Sequence, residues 1–411
     1  MNRAARIGIV VVSVVIFCYA GLGHVLGRAT DDKAYKSLTV YGEVLQKIQQ
    51  DYVDDPNMHT VTAGSLHGLL ESLDPQSSYL TPREYDEYKK KLQNSGTGET
   101  GLTLSKRFGY VIVLSVLPDS PGTKAGVRSG DIFESIGGFT TRDMSVGQAL
   151  NLLSGQPGTG IKVAVIRRGK ATPDEVDLVR EKLATPKIIV QKADPDILVL
   201  RLPSLDAGRA DEVRNRLLDA EKQGVRKVIV DLRECGRGPV SEAISLARLF
   251  VPSGTITTLR GQTVSAQVFS AEPKQVVWRN TVSVLIDATT SGAAEVFASA
   301  IVANHRGDVV GERTFGLASE QKLITMDDGA ALILTVANYY NPGGKSILEE
   351  GITPTEIVRA VPEDSDSGDD DAAPAPETQK EPGLGPRPLS PEDPIFHRAL
   401  DLLKTPVKKA A

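Results

Sequence analysis

The chain has 411 residues, long enough for two or three domains. Its 24 % charged and 40 % hydrophobic residues are ordinary for a globular protein, which excludes a wholly disordered, fibrous or multi-span membrane chain. The formal net charge of −5 is uneven: residues 361–391 hold eight acidic and two basic side chains, so the body is near neutral and has no electrostatic reason to take nucleic acid as a partner. Two cysteines make neither a disulfide framework nor a zinc spacing, and five histidines are too few for a His-rich site, so no metal and no cofactor is expected.

Arg3 and Arg6 precede an uncharged run from Ile7 to Gly27, close to the roughly 20 residues that cross a bilayer as a helix. Cys18-Tyr19-Ala20-Gly21 is a poor cleavage site. Residues 1–28 therefore read as an uncleaved signal anchor in the membrane, with a cleaved secretory signal as the alternative. The two arginines favour a cytoplasmic N-terminus. Everything after Arg28 then faces the extracytoplasmic side, the periplasm if the cell is Gram-negative. In that compartment Cys235 has no partner inside the chain.

Residues 33–95 read as helical. Tyr41, Val44, Leu45 and Ile48 form one apolar stripe, and Leu66, Leu69, Leu70 and Leu73 a second. Asp74-Pro75 ends it, and Thr81-Pro82-Arg83-Glu84 predicts the next helix start. Residues 96–182 form a small β-rich module with strands at Tyr110–Val116, Ile132–Ile136 and Ile161–Ile166 and one helix at Ser145–Leu153. Residues 186–360 alternate strand and helix. The strands are Ile197–Leu202, Val228–Asp231, Val282–Ile286 and Ala331–Ala337, and the helices are Ala207–Gln223, Val240–Phe250 and Ala293–Asn304. This alternation predicts an α/β layer, so the fold class is α/β with a β-rich insert. Residues 361–391, with seven prolines, read as a disordered acidic linker. Residues 392–411 hold a last amphipathic helix through Ile395, Phe396, Ala399, Leu402 and Leu403, to dock on the body or on a partner.

The β-rich module resembles a PDZ domain. Gly101-Leu102-Thr103-Leu104 stands ahead of the first predicted strand, followed by Ser120-Pro121-Gly122-Thr123-Lys124-Ala125-Gly126 and Gly130-Asp131-Ile132. Backbone N–H groups at Gly101 to Thr103 would cradle a peptide's terminal carboxylate, and the peptide would add as a strand beside Thr103 and Leu104. Leu102 and Leu104, with Val146 and Leu150 on the helix, would wall a pocket for its last side chain. The alternative is that these leucines are domain core.

Runs outside this module resemble the C-terminal processing peptidases, or tail-specific proteases: Leu73-Asp74-Pro75-Gln76-Ser77-Ser78-Tyr79-Leu80, Val230-Asp231-Leu232-Arg233, Val309 to Gly316, Asn341-Pro342-Gly343-Gly344 and Gly351-Ile352-Thr353-Pro354. They cover about residues 35–360 in the family's order. The resemblance implies a serine peptidase with a Ser-Lys dyad and a supporting Gln, in which a lysine of lowered pKa takes the serine proton. Anchored on Glu295 in Thr290-Ser291-Gly292-Ala293-Ala294-Glu295, the nucleophile position is Gly292. The base position after Thr314-Phe315-Gly316 is Leu317, and the supporting Gln is retained as Gln321. The oxyanion loop is altered to Cys235-Gly236-Arg237-Gly238.

Glycine has no hydroxyl and leucine holds no proton, so the resemblance implies a pseudoprotease that binds peptide C-termini or extracytoplasmic partner proteins. It would act as scaffold or regulator of an active relative, in a homo- or hetero-oligomer. The alternative is an active peptidase with Ser291 as a displaced nucleophile. Beside that, Ser291 is expected to cap the following helix. Lys322 is expected to face away from Gln321, and Cys235 to be a buried thiol with His305 remote. Glu295 is expected to act on the helix dipole.

Overall fold

The computed structural model describes residues 38–93, 96–107, 109–142, 144–167, 170, 172–359 and 393–404. The N-terminal apolar run and the acidic proline-rich segment lie outside them. Among the described residues no helix is long and apolar enough to cross a membrane. The chain divides into two compact units, up to residue 65 and from 66 onward. In the first, helix α1 (38–51) half-buries Tyr41, Leu45 and Ile48 and leaves Val44 exposed, and the Tyr41 hydroxyl meets Ser65 Oγ.

Helix α2 (Met58–Glu71) carries the second leucine stripe, but only Leu70 is buried, with Leu69 and Leu73 exposed. Leu73 lies beyond the helix end, so it cannot share the stripe. The Asp74 carboxylate then accepts from the N–H groups of Gln76 and Ser77, both at 2.8 Å, and turns the chain into a short strand, β1 (Ser78–Leu80). The sequence reading gave this segment to a helical region. Three residues are too few to show a period, and the strand exists because a partner 251 to 255 residues away, within Ala331–Tyr340, pairs with it. Helix α3 (Pro82–Gln93) starts where Thr81 predicts. The Thr81 N–H donates to Glu84 Oε2 at 2.8 Å and the Glu84 N–H to Thr81 Oγ1 at 3.4 Å, a reciprocal cap.

The β-rich module runs β2 (Leu102–Arg107), β3 (Tyr110–Val116), α4 (Pro121–Lys124), β4 (Ile132–Ile136), β5 (Phe139–Thr140), α5 (Val146–Leu153), β6 (Gly160–Ile166) and β7 (Asp174–Val179). The strands form one sheet in the order β2-β3-β4-β6-β7, with β5 on β4. Leu102 to Leu104 thus lie in a strand rather than ahead of the first one. Alternation sends Leu104, Val111, Val113, Phe133, Val165 and Leu178 into a common core. Ser145 caps α5 with Gln148 reciprocating.

The remaining elements are β8 (Ile189–Asp194), β9 (Ile197–Arg201), α6 (Arg209–Lys222), β10 (Lys227–Asp231), α7 (Val240–Arg248), β11 (Thr255–Arg260), β12 (Gln267–Ser270), β13 (Thr281–Ile286), α8 (Ala293–Ala303), β14 (Asp308–Gly311), β15 (Ser319–Thr325), β16 (Ala331–Tyr340), β17 (Glu356–Ile357) and α9 (Pro394–Lys404). The central sheet has the order β17-β14-β13-β10-β9-β8, parallel except where β8 runs antiparallel to β9. It is covered on both faces, as a parallel sheet requires. Leu198, Leu200, Val228 and Val230 face the core that holds α6, α7 and α8; Ile197, Val199, Ile229 and Leu285 face α9. A second sheet, β1-β16-β11-β12 with β15 on β16, packs Leu259, Ala337 and Tyr339 into the same helical core.

Helix α9 resolves its two predicted destinations in favour of the body. Ile395, Phe396, Ala399 and Leu403 are buried on the sheet, and Arg233 bridges the start of the helix to the sheet end through Asp393 and Asp231. Arg233 Nε and Nη2 reach the fully buried Asp231 carboxylate at 2.9 and 2.8 Å. Phe396→Ala is expected to lower stability in urea unfolding by about 3 kcal/mol, the usual loss for a buried aromatic.

Candidate active site and peptide groove

The C-terminal ends of β10, β13 and β14 lead into three loops that meet at the start of α8. Ligands in open α/β sheets bind at such strand ends. After β13, the Asp287 carboxylate accepts from the N–H groups of Thr289 and Thr290 at 3.0 and 2.8 Å and from both threonine hydroxyls. This folds a tight strand-to-helix turn. The Ser291 N–H donates to the Cys235 carbonyl at 3.1 Å and the Phe315 N–H to the Thr290 carbonyl at 3.1 Å, so the turn is tied to both neighbouring loops.

Gly292 tops this turn with φ +63° and ψ −121° and is the N-cap of α8. A side chain there is sterically disfavoured, and strained turns of this kind are where hydrolases expose a nucleophile. A Cβ placed on Gly292 would meet no atom within 4 Å. The position retains an elbow and open space but has no side chain to fill it. The expectation that Ser291 caps α8 is corrected: Gly292 is the N-cap, because the turn points Ser291 inward. Ser291 is 1 % exposed, and its Oγ has no hydrogen-bond partner among the described residues. Its Oγ and that of Ser115 in the β-rich module both crowd Gly236, whose own Cβ would lie 2.7 and 3.0 Å from them.

Glu295, one turn into α8, is fully buried and joins the turn at Gly292 to the loop that carries Leu317. Its Oε2 accepts from the N–H groups of Gly292 at 2.8 Å and Leu317 at 2.7 Å; its Oε1 accepts from Gly316 N–H at 2.7 Å and from the Thr314 hydroxyl. Burial pushes its pKa up to about 7, against the pull of these four donors. The sequence reading gave Glu295 only a dipole role. Its link to Gly316 and Leu317 spans 21 and 22 residues, which no local pattern reveals.

Leu317 is half-buried and has no proton-accepting atom in its side chain. Gln321, on β15, is exposed and donates from Nε2 to the Gln76 carbonyl at 2.9 Å. Lys322, beside it on the same strand, is exposed. Cys235 is fully buried, and burial pushes its thiol up to about 12, so no thiolate forms near neutrality. His305 is exposed beyond the far end of α8. In the loop Cys235–Gly238, Arg237 reaches Glu99 at 2.7 Å, and its carbonyl accepts from Leu205 N–H at 2.8 Å. Among the described residues no group of three His, Cys, Asp or Glu side chains could hold a metal ion.

A groove of about 350 Å³ opens between the start of β2 and α5, lined in part by Gly101, Leu102, Val146, Leu150, Lys91 and Gln321. Gly101 adopts φ +79°. Leu102 and Leu150 thus wall it as expected, and Val146 contributes from the helix. Leu104 does not: it is 3 % exposed, beneath the wall in the module's core. Thr103 points the other way, its Cγ2 toward Gly236. The outer edge of β2 pairs with no strand among the described residues, the arrangement that strand addition needs.

A PDZ-type groove set on a parallel α/β layer with a strained strand-to-helix elbow defines a peptidase-type two-module protein. Residues 196–358 match peptidase family S41 and residues 112–167 match the PDZ domain. A carboxy-terminal-processing protease of Bartonella bacilliformis is 28 % identical over 336 residues, covering 80 % of this chain and 76 % of that one. The carboxy-terminal processing protease CtpA of Bacillus subtilis is 27 % identical over 347 residues, covering 84 % and 74 %. The photosystem II D1 C-terminal processing protease shares the fold with a TM-score of 0.65 at 22 % identity, over 78 % of this chain and 92 % of that one. The chain thus carries a peptidase family S41 core and a PDZ domain, and it is similar over most of its length to carboxy-terminal processing proteases.

Proposed function

We propose that this chain is a pseudoprotease that binds peptide C-termini without cleaving them. Its N-terminal segment holds it to the membrane and its body works on the extracytoplasmic side, as scaffold or regulator of an active relative. The observation that carries the reading is the elbow: Gly292 has the conformation and the open space of a nucleophile position and no hydroxyl. Leu317 at the base position supports it, since an acyl transfer through this dyad has neither nucleophile nor proton acceptor. The relatives' names, which state carboxy-terminal processing, support peptide tails as the ligand class.

Two measurements on the purified chain test this. A serine-directed fluorophosphonate is expected to leave it unlabelled; labelling at Ser291 overturns the proposal. Labelled peptide tails are expected to bind and to be recovered intact. Gly101→Ala is expected to weaken that binding at least about tenfold, because a Cβ at φ +79° is strained and would lie 2.2 Å from Ser120 Cβ. Equal binding by Gly101→Ala contradicts the groove.

A further inference from the structure

We propose that Lys91, on α3 and outside the PDZ domain, binds the terminal carboxylate of the peptide in the groove. The inference rests on the peptide-binding reading above. Lys91 lines the groove together with Thr100, Gly101 and Leu102. Its Nζ donates to two oxygens of a single residue, the carbonyl and Oδ1 of Asn151 at 2.5 and 2.6 Å. An ammonium has three donors, so one remains for a ligand. Both Asn151 oxygens are neutral. No carboxylate lies within ion-pair distance of Lys91 among the described residues.

The surroundings strengthen the demand for an anion. Arg180 sits near the same end of α5, donating from Nη2 to the Leu152 carbonyl at 2.6 Å, and among the described residues it too bonds only neutral oxygens. The acid that lines the groove, Glu99, is engaged by Arg237 at 2.7 Å. Burial and the Arg180 charge draw the Lys91 pKa down, while Glu87 acts on it in the opposite sense. A half-buried ammonium that shares its groove with apolar Leu102, Val146 and Leu150 is complementary to a free α-carboxylate following an apolar side chain. A charge-assisted bond of this kind is the strong one. The simpler function for Lys91, a cation satisfying the last carbonyls of α5, makes no distinction between peptide acids and amides.

The test uses the full chain, immobilised, with fluorescein-labelled heptapeptides randomised at the last three positions and made both as free acids and as C-terminal amides. The tightest-binding acid is then remade in both forms and its affinity read by anisotropy. The native chain is expected to prefer the acid by about 10- to 100-fold. Lys91→Met is expected to erase most of that preference and Lys91→Arg to keep it. If Lys91→Met does not fold, Lys91→Gln, which keeps a hydrogen bond to Asn151 without the charge, gives the same reading. A preference for acids that survives the loss of the charge overturns the inference, as does native binding that ignores the amide. Either result leaves the peptide groove standing. No binding by either half of the library overturns the groove itself, and this inference with it.

Discussion

A Gly292→Ser/Leu317→Lys variant is expected to cut unfolded protein that the native chain leaves intact. The elbow is already built. Asp287 fixes the turn before Gly292, and Glu295 holds the Gly292 and Leu317 N–H groups on one carboxylate oxygen. A serine at φ +63° carries strain of about 1–3 kcal/mol, which such over-determined turns sustain. Its side chain would enter space with no atom within 4 Å of the Cβ. A lysine at the half-buried position 317 has the burial that lowers an amine's pKa toward a usable base. Dyad members act as a unit, so neither single substitution is expected to rise above background. The double variant is expected to exceed the native chain by about 10³-fold or more in release of fluorescein from labelled casein. Cleavage by the native chain, lost in Ser291→Ala, sinks the pseudoprotease reading.

How much of this was legible in the sequence depends on distance along the chain. The capping box at Thr81–Glu84 and the strands Tyr110–Val116 and Val282–Ile286 follow from local chemistry and periodicity, and they stand where the residues place them. Residues 78–80 and Leu102–Arg107 were misplaced because their strands exist only through pairing: with β16 in one case and β3 in the other. The ordered run of family-like segments singled out Gly292 and Leu317, which the fold brings to one carboxylate. The link between them was not legible. Glu295 reads as an ordinary first-turn acid until the fold brings Gly316 and Leu317 to it. Lys91 was invisible for the same reason: its partner Asn151 lies 60 residues further along the chain, and only the fold brings α3 against α5. The inward direction of Ser291 depends on the turn set by Asp287, which side-chain type alone does not specify.

Glu295→Ala is expected to be among the most damaging single substitutions in the chain. It strips the acceptor from three backbone N–H groups and one hydroxyl, of which those of Gly316 and Thr314 are buried. Each orphaned donor costs about 1–3 kcal/mol. With partial relief by water, a loss of about 3–5 kcal/mol in urea unfolding is expected. Glu295→Gln, which leaves one acceptor oxygen, is expected to lose less. The two also differ in pH dependence. Burial raises the Glu295 carboxyl from its ordinary 4.5 to about 7, so between these values the native state keeps a proton that the unfolded chain releases. Its contribution to stability is full below about pH 4.5 and is lost as pH rises through about 7. The stability advantage of the native chain over Glu295→Gln should therefore shrink from pH 5 to pH 7.5; an advantage that grows over that range contradicts the raised value. Because the same carboxylate fixes both loops, adding Glu295→Gln to the Gly292→Ser/Leu317→Lys variant should abolish the restored cleavage while the chain stays folded. Elbow and base would then no longer be held on a common oxygen.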